Sequence, residues 1–239
     1  GFRFYDPRIG LAITSAGQLS VLWAQNRMNT YLNKSMGTMI ERDFIIASDT
    51  DSMYLDMHDI LQKFCGISED TQTNIDNIDK ICDKVLKPMI ESFFQELKDY
   101  TNAYEQKMIM KREAIADIGI WTGKKHYILN VWNSEGVAYK EPKLKITGLE
   151  AVKVSAYPKY ARDAMKKIFK ELVTSKSEEN VQKMIADFRT EFMKLSVADV
   201  SFPRGVSNVT SYVGATKSIP IHVKGSLVFN EFIKSRGYH

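Results

Sequence analysis

Cysteine is almost missing from this sequence. Cys65 and Cys82 are the only two in 239 residues, too few for a disulfide framework, so the expected setting is a reducing compartment. The four histidines, His58, His126, His222 and His239, are scattered and form no zinc spacing. Proline is limited to six dispersed residues, which leaves no proline-rich linker to mark a boundary. No internal repeat or low-complexity stretch is visible. No apolar run approaches the ~20 residues needed to span a bilayer, and no signal-peptide pattern is present; the expectation is a soluble, unexported protein with no membrane partner. What is present is ordinary for a folded chain: 44% hydrophobic, 11% aromatic and 26% charged residues. Disorder over most of the length is excluded, and the length suffices for one good core or two small ones side by side. The chain opens on Gly1, not Met, and enters at once on the aromatic, strand-like run Phe2-Arg3-Phe4-Tyr5, which reads as the middle of something longer.

The net charge of +4 hides a segregation. From Glu41 to Asp99 there are 14 acidic residues against 6 basic, and from Glu105 to Lys170 there are 14 basic against 7 acidic. One reading is a basic surface for a polyanion; the other is two solvated faces of opposite sign packed side by side. Charge alone does not separate them.

Periodicity predicts an α+β fold. Residues from Leu11 to Met36 read as a long helix ended by Gly37. Asp43 to Ser48 and Ser52 to Leu55 are short β-prone runs flanking Asp49-Thr50-Asp51, a tight hairpin with acids at its tip. Helices are expected over His58 to Phe64 and Asn74 to Tyr104, the second kinked or restarted at Pro88, which lacks an amide donor. Lys107 to Ala116, Trp121 to Trp132 and Val137 to Lys140 read as strands, with Asn133-Ser134-Glu135-Gly136 as turn chemistry before the last. After Lys145 the pattern changes: apolar stripes at helical spacing over Ala161 to Leu172 and Val181 to Leu195 predict an antiparallel helix pair joined at Thr174 to Ser177. Val197 to Ser218 reads as loop, and a last helix is expected over Gly225 to Lys234. A domain boundary is therefore expected near Leu149 to Tyr157, giving an antiparallel-sheet domain with packed helices over residues 1–150 and a mostly helical one over 151–239.

Two aspartates one residue apart at a hairpin tip repel each other, a cost that a binding role would explain. Convergent carboxylate oxygens suit Mg²⁺, which binds through one or two carboxylates and completes its shell with water and substrate phosphates. Aspartate also favours plain surface turns for its local backbone hydrogen bonds, and a metal-dependent transferase of nucleotide sugars is a further reading of Asp-x-Asp. The context of the turn narrows the choice. Ile45-Ile46-Ala47-Ser48-Asp49-Thr50-Asp51-Ser52-Met53-Tyr54 resembles the third polymerase motif of family B DNA polymerases, usually written YGDTDS. Trp121-Thr122-Gly123-Lys124-Lys125-His126-Tyr127 resembles the KKRY element of that family at about the expected separation. Arg112-Glu113-Ala114-Ile115-Ala116, Glu141-Pro142-Lys143-Leu144-Lys145-Ile146 and Gly148-Leu149-Glu150 are similar to stretches of the replicative polymerases of large T-even-like tailed phages. Tyr5-Asp6-Pro7-Arg8 with Ala12-Ile13-Thr14 and Gly17-Gln18 resembles the segment just after the fingers. The ordered set is more specific than any one motif.

The resemblance implies the C-terminal part of a polymerase palm over 1–150 and a partial thumb over 151–239. It implies template-directed nucleotidyl transfer in the phage replisome, in the cytoplasm of the bacterial host, with two Mg²⁺ ions about 3.5–4 Å apart clamping the attacking and leaving oxygens. Asp51 is implied as the principal metal ligand and Asp49 as a nearby carboxylate. Glu113 is implied close to the metals, with an ion pair to a neighbouring lysine or arginine as the alternative. Lys125 joins the two aspartates in the implied catalytic set. Lys124, Lys125 and Tyr127 are implied to grip the primer strand, and Lys143, Lys145 and Lys153 to continue a basic track along primer-template DNA; contacts of this kind carry no base information. Lys159, Arg162, Lys166 and Lys167 lie opposite the apolar stripe of the first thumb helix, where a plain solvated face explains them as well. Trp121, Trp132 and Phe169 read as core packing. His126 stands where the family has arginine, and Ala47 and Ser48 replace its tyrosine and glycine, which weakens one phosphate contact and one primer contact.

The family's first motif, with the other metal aspartate and the site for deoxynucleoside triphosphates, has no counterpart in these residues; neither has the fingers lysine helix or the exonuclease. The expectation is therefore a split or truncated polymerase, inactive as this chain alone and partnered by the missing N-terminal portion, with a bare hydrophobic face that drives self-association. The alternative expectation is a non-catalytic duplex-DNA-binding remnant or accessory subunit.

Overall fold

The computed structural model describes residues 6–149, 152, 157–175, 177–215 and 217–237. The aromatic opening at Phe2 to Tyr5 and the predicted phosphate contact Lys153 lie outside the described residues. The fold is α+β, as predicted, and divides into two compact units at Gly148/Leu149.

The first unit begins with α1, Pro7–Met36. Asp6 caps it by accepting from the Arg8 amide, Pro7 fills the first helical position, and Gly37 closes it at φ 64° in the left-handed region. The helix starts earlier than its apolar periodicity predicts, and the Asp-Pro pair is the reason. Only Ser20, Ala24, Met28 and Leu32 are buried along it, one residue every four. Residues 7–19 are exposed throughout, including Ile9, Leu11 and Ile13.

Two strands follow, β1 (Ile45–Asp49) and β2 (Ser52–Leu55), antiparallel and joined by Thr50 and Asp51. Next come α2 (His58–Phe64) and α3 (Thr71–Ile81), the latter capped by Asp70. A π-turn at Cys82–Leu86 leads directly into α4, Lys87–Tyr100. The expected interruption at Pro88 is thus met by local underwinding, in which the Lys87 amide donates to the Cys82 carbonyl ahead of the proline. Met28, Leu32, Phe44, Ile60, Leu86 and Phe93 form the core between these helices and the hairpin. Met53 points from β2 toward a neighbouring cluster of Ala24, Phe94 and Leu97.

A three-stranded antiparallel sheet completes the unit: β3 (Ala114–Gly123), β4 (His126–Ser134) and β5 (Val137–Thr147), in that order. Two expectations fail here. Residues 107–113 carry no regular structure, and the run from Trp121 to Trp132 is not one strand: Gly123 pairs with His126, leaving Lys124 and Lys125 as a two-residue turn. Apolar content favours continuity, whereas Gly123 marks the break and Lys125 takes the left-handed conformation that closes the turn. The third strand runs on to Thr147 through Pro142, which is tolerated because β5 is an edge strand.

The second unit is mostly helical. In it α5 (Lys159–Thr174) and α6 (Glu178–Phe192) pack as the predicted pair, with Ser177 capping α6 through the Asn180 amide. Tyr160 stacks on Phe188 at 6.0 Å between ring centroids. A short turn of helix, α7 (Val197–Val200), and a 3₁₀ turn at Val209–Tyr212 interrupt the predicted loop, and α8 spans Ile221–Ser235.

Candidate nucleic-acid interface

Side-chain alternation decides what the β1–β2 hairpin presents. Asp49 pairs with Ser52 and Ala47 with Tyr54, so these four share one face, while Ser48 and Met53 occupy the other. Met53 anchors the second face on the helices. The first face lies on the three-stranded sheet, where Tyr54 packs against Trp121 (5.3 Å between centroids, edge-on) and Tyr127 (5.5 Å). Tyr127, Leu129 and Val131 are buried beneath, with Ala114, Ala116, Trp121 and Tyr139 around them. Burial first, and the neighbouring Tyr127 hydroxyl second, raise the Tyr54 phenol above the ordinary tyrosine range, so it is neutral at physiological pH.

Gly119 makes this packing feasible. A Cβ there would lie 2.5 and 2.6 Å from the ring carbons of Trp121 and 2.9 Å from Leu129, so the indole lies flat across a glycine.

The hairpin tip is tight. Thr50 takes φ 53°, and its hydroxyl donates to Asp49 Oδ1 at 2.9 Å, while the Ser52 hydroxyl donates to the Asp49 carbonyl at 3.0 Å. Asp49 is half-buried and Asp51 exposed. Across from it stands the β3–β4 turn, with Lys125 at φ 63°. Lys125 Nζ reaches to 3.5 Å from Asp49 Oδ1, the lysine side chain 60% exposed and the aspartate 29%. The acidic tip and the lysine tip therefore meet. His126 faces Lys124 through Nδ1, 2.7 Å from the Lys124 carbonyl oxygen, and so braces the turn. The Lys125 end of the turn is seated on Gly148 at φ 73°, where an added Cβ would collide with the Lys125 carbonyl oxygen and come within 2.9 Å of the His126 ring.

The remaining predicted residues distribute along β5. Lys143 pairs in register with Val131 and Lys145 with Leu129, placing both lysines on the face that carries Tyr127. Lys143 Nζ sits 3.8 Å over the Tyr139 ring, and Lys145 is ion-paired with Glu113. Asp49, Lys125, Lys143, Lys145 and Glu113 thus belong to one side of the sheet and its turn. Tyr127 is 8% exposed; its bulk supports the turn from below. Glu113 is engaged by a lysine, one of the two roles expected of it. Among the described residues no group of three or more His, Cys, Asp or Glu side chains gathers to hold a metal ion. In the second unit Lys166 and Lys167 are exposed, while the Arg162 guanidinium donates to the Tyr157 carbonyl at 3.2 Å.

The pairing of Lys125 with Asp49, the aromatic support under the hairpin and the close approach at Gly148 all escape sequence reasoning. Gly119, alone among apolar strand residues, and Gly148, just past a strand end, are the signals a sequence offers for them.

No known protein-family profile matches the chain. It is 38% identical over 246 residues to the DNA-directed DNA polymerase of Escherichia phage RB69, covering 98% of this chain and 27% of that protein. It is 32% identical over 249 residues to the DNA-directed DNA polymerase of Enterobacteria phage T4, covering 99% of this chain and 27% of that protein. The resemblance to T-even-type phage polymerases that the motifs carry therefore holds across the whole sequence. The chain spans about a quarter of the length of the curated relatives it matches.

Proposed function

We propose that this polymerase-related chain supplies the palm–thumb portion of a phage replicative DNA-directed DNA polymerase, residues 1–150 as the C-terminal part of the palm and 151–239 as a partial thumb. The observation that carries the reading is the meeting of the two turns: Lys125 Nζ stands 3.5 Å from Asp49 Oδ1 in a chain collinear with phage polymerases. An acidic turn set against a lysine turn suits template-directed nucleotidyl transfer, because little covalent chemistry falls to the protein and positioning and charge do the rest.

In this reading Asp51 and Asp49 would hold Mg²⁺. The donor chemistry fits, since carboxylate oxygens are what Mg²⁺ takes and Asp51 is exposed while Asp49 is half-buried at the same hairpin tip. When bound, the ions lower the pKa of the attacking hydroxyl and stabilise the departing oxygens. The chain's own contribution is to fix the acids and to hold DNA. Thr50 and Ser52 pin the Asp49 carboxylate and carbonyl. Lys124 and Lys125 bind the primer backbone as point charges, and Lys143 and Lys145 extend that surface. Glu113 orients Lys145 through their ion pair. Two carboxylates are too few for the full charge load, so the other metal aspartate and the triphosphate site come from an N-terminal portion, encoded separately or in the same polypeptide.

The test is primer extension by this chain combined with that N-terminal portion. Extension is expected with both parts and Mg²⁺ present, none with this chain alone, and Asp51→Ala is expected to cost at least ~10²-fold, the scale of losing one charge-stabilising group. Undiminished extension by the Asp51→Ala protein would refute the reading. The second reading, a duplex-binding part without catalysis, is favoured by the engagement of the Asp49 carboxylate by Lys125 and Thr50. Duplex binding with no extension in any combination would select it.

A further inference from the structure

Lys125 has one positive charge and two anionic claimants for it, the Asp49 carboxylate beside it and, in the reading above, a DNA phosphate. In the free chain it lies 3.5 Å from Asp49 Oδ1, an oxygen that also accepts from the Thr50 hydroxyl at 2.9 Å. A phosphate of the DNA backbone would draw on the same charge and weaken its hold on Asp49. The backbone does not settle the conflict by moving, because the turn is fixed from below. Lys125 holds φ 63°, and Gly148 touches its carbonyl so closely that no Cβ fits between them. Only the side chain is at liberty, and a 60% exposed lysine has rotamers available in both directions.

We propose that Lys125 is a shared counter-charge, paired with Asp49 while the surface is empty and transferred to a backbone phosphate when duplex binds, so that duplex binding opens the Asp49 carboxylate to a divalent cation. The proposal rests on the DNA-binding reading above. The exchange is reciprocal by thermodynamic linkage: whatever removes the charge of Asp49 makes Lys125 more available to phosphate, by the same factor by which phosphate makes Asp49 more available. The factor is modest. Exposed ion pairs change equilibria by ~1.4- to 5-fold, which is enough to order the events and small enough for Lys125 to leave its partner. Lys124, the neighbouring turn residue, has the same charge and, among the described residues, no such carboxylate within ion-pair distance, which makes it the internal control.

The experiment is a double-mutant cycle on duplex affinity, measured by fluorescence anisotropy across a salt series with this chain and a primer-template duplex. Asp49→Asn keeps the shape of the residue and removes its charge, so duplex binding tightens about 1.4- to 5-fold. In a Lys125→Ala background the same substitution is expected to give no gain, whereas in a Lys124→Ala background the gain persists. Asp51→Asn serves as the control for general loss of negative charge, and its effect is independent of Lys125. Lys125→Arg retains the coupling, and thermal melts verify that each variant is folded. Mn²⁺ at the acidic turn is expected to mimic Asp49→Asn, tightening duplex binding in the parent chain more than in Lys125→Ala. If Asp49→Asn leaves the affinity unchanged, or its gain survives Lys125→Ala, the counter-charge role is wrong while DNA binding stands. If the parent chain and every variant fail to bind duplex at any salt, the DNA-binding reading itself falls and takes the proposal with it.

Discussion

Replacing Gly148 by alanine tests the architecture that positions the lysine turn. Two costs are separable. Gly148 has φ 73°, and an L-residue in the left-handed region pays ~1–2 kcal/mol. The added Cβ would also collide with the Lys125 carbonyl oxygen and the His126 ring, and forcing atoms into a packed contact costs ~1–3 kcal/mol. Gly136 provides the comparison, since it has φ 87° and an added Cβ there would meet nothing within 4 Å. Gly136→Ala should therefore show the first cost and Gly148→Ala both, about 3 kcal/mol in total. At ~2–4 °C per kcal/mol for a domain of this size, Gly148→Ala should melt roughly 6–12 °C below the parent chain and Gly136→Ala a few degrees below. Circular-dichroism melts give the comparison. Duplex affinity provides the second measurement, because relief of the clash shifts the Lys125 carbonyl and with it the turn. Equal melting temperatures for the two alanine proteins would show that the close approach does not constrain the turn.

Two other predictions concern the body of the first unit. Burial pushes the Cys82 thiol up to about 11. A raised pKa in the folded state means that the stabilisation is complete below the ordinary thiol value near 9 and is lost as pH rises from there toward 11. Urea unfolding at pH 8 and pH 10 should therefore show a loss of ~1 kcal/mol in the parent chain that is missing in Cys82→Ala; equal losses would refute the assignment. The exposed stretch of α1 carries Ile9 and Ile13, 57% and 68% exposed, on the helix face that continues the buried stripe from Ser20 to Leu32. Continuity of an apolar face beyond its packed part predicts that the isolated chain pairs with a second copy there. Sedimentation velocity should show concentration-dependent association abolished by Ile13→Glu, and a strictly monomeric parent chain would refute it.

What the sequence makes legible follows from the range over which each signal acts. The Asp49-Thr50-Asp51 turn, the Gly37 stop of α1 and the α5–α6 pair are local patterns of caps, turns and apolar spacing, and the structure has them within a few residues of where those patterns put them. The Lys124-Lys125 turn reads as strand because its neighbours Trp121, Tyr127, Ile128 and Leu129 are apolar enough to dominate a window, although Gly123 marks the break. No local pattern encodes the approach of Lys125 to Asp49, since those residues are 76 positions apart and belong to different sheets. Their meeting depends on Tyr54 packing edge-on against Trp121 and tilted against Tyr127, which depends in turn on the absence of a side chain at Gly119. The site is thus assembled by residues with no chemistry of their own. A motif can therefore be intact while the surface it serves is not. A substitution at Gly119 that leaves every aspartate and lysine in place should separate the two turns, and duplex affinity should fall with it: Gly119→Val puts branched carbon where the Trp121 ring lies, at an overpacking cost of ~1–3 kcal/mol. If that protein stays folded and still shows the coupling between positions 49 and 125, the aromatic layer is not what brings the acidic and basic turns together.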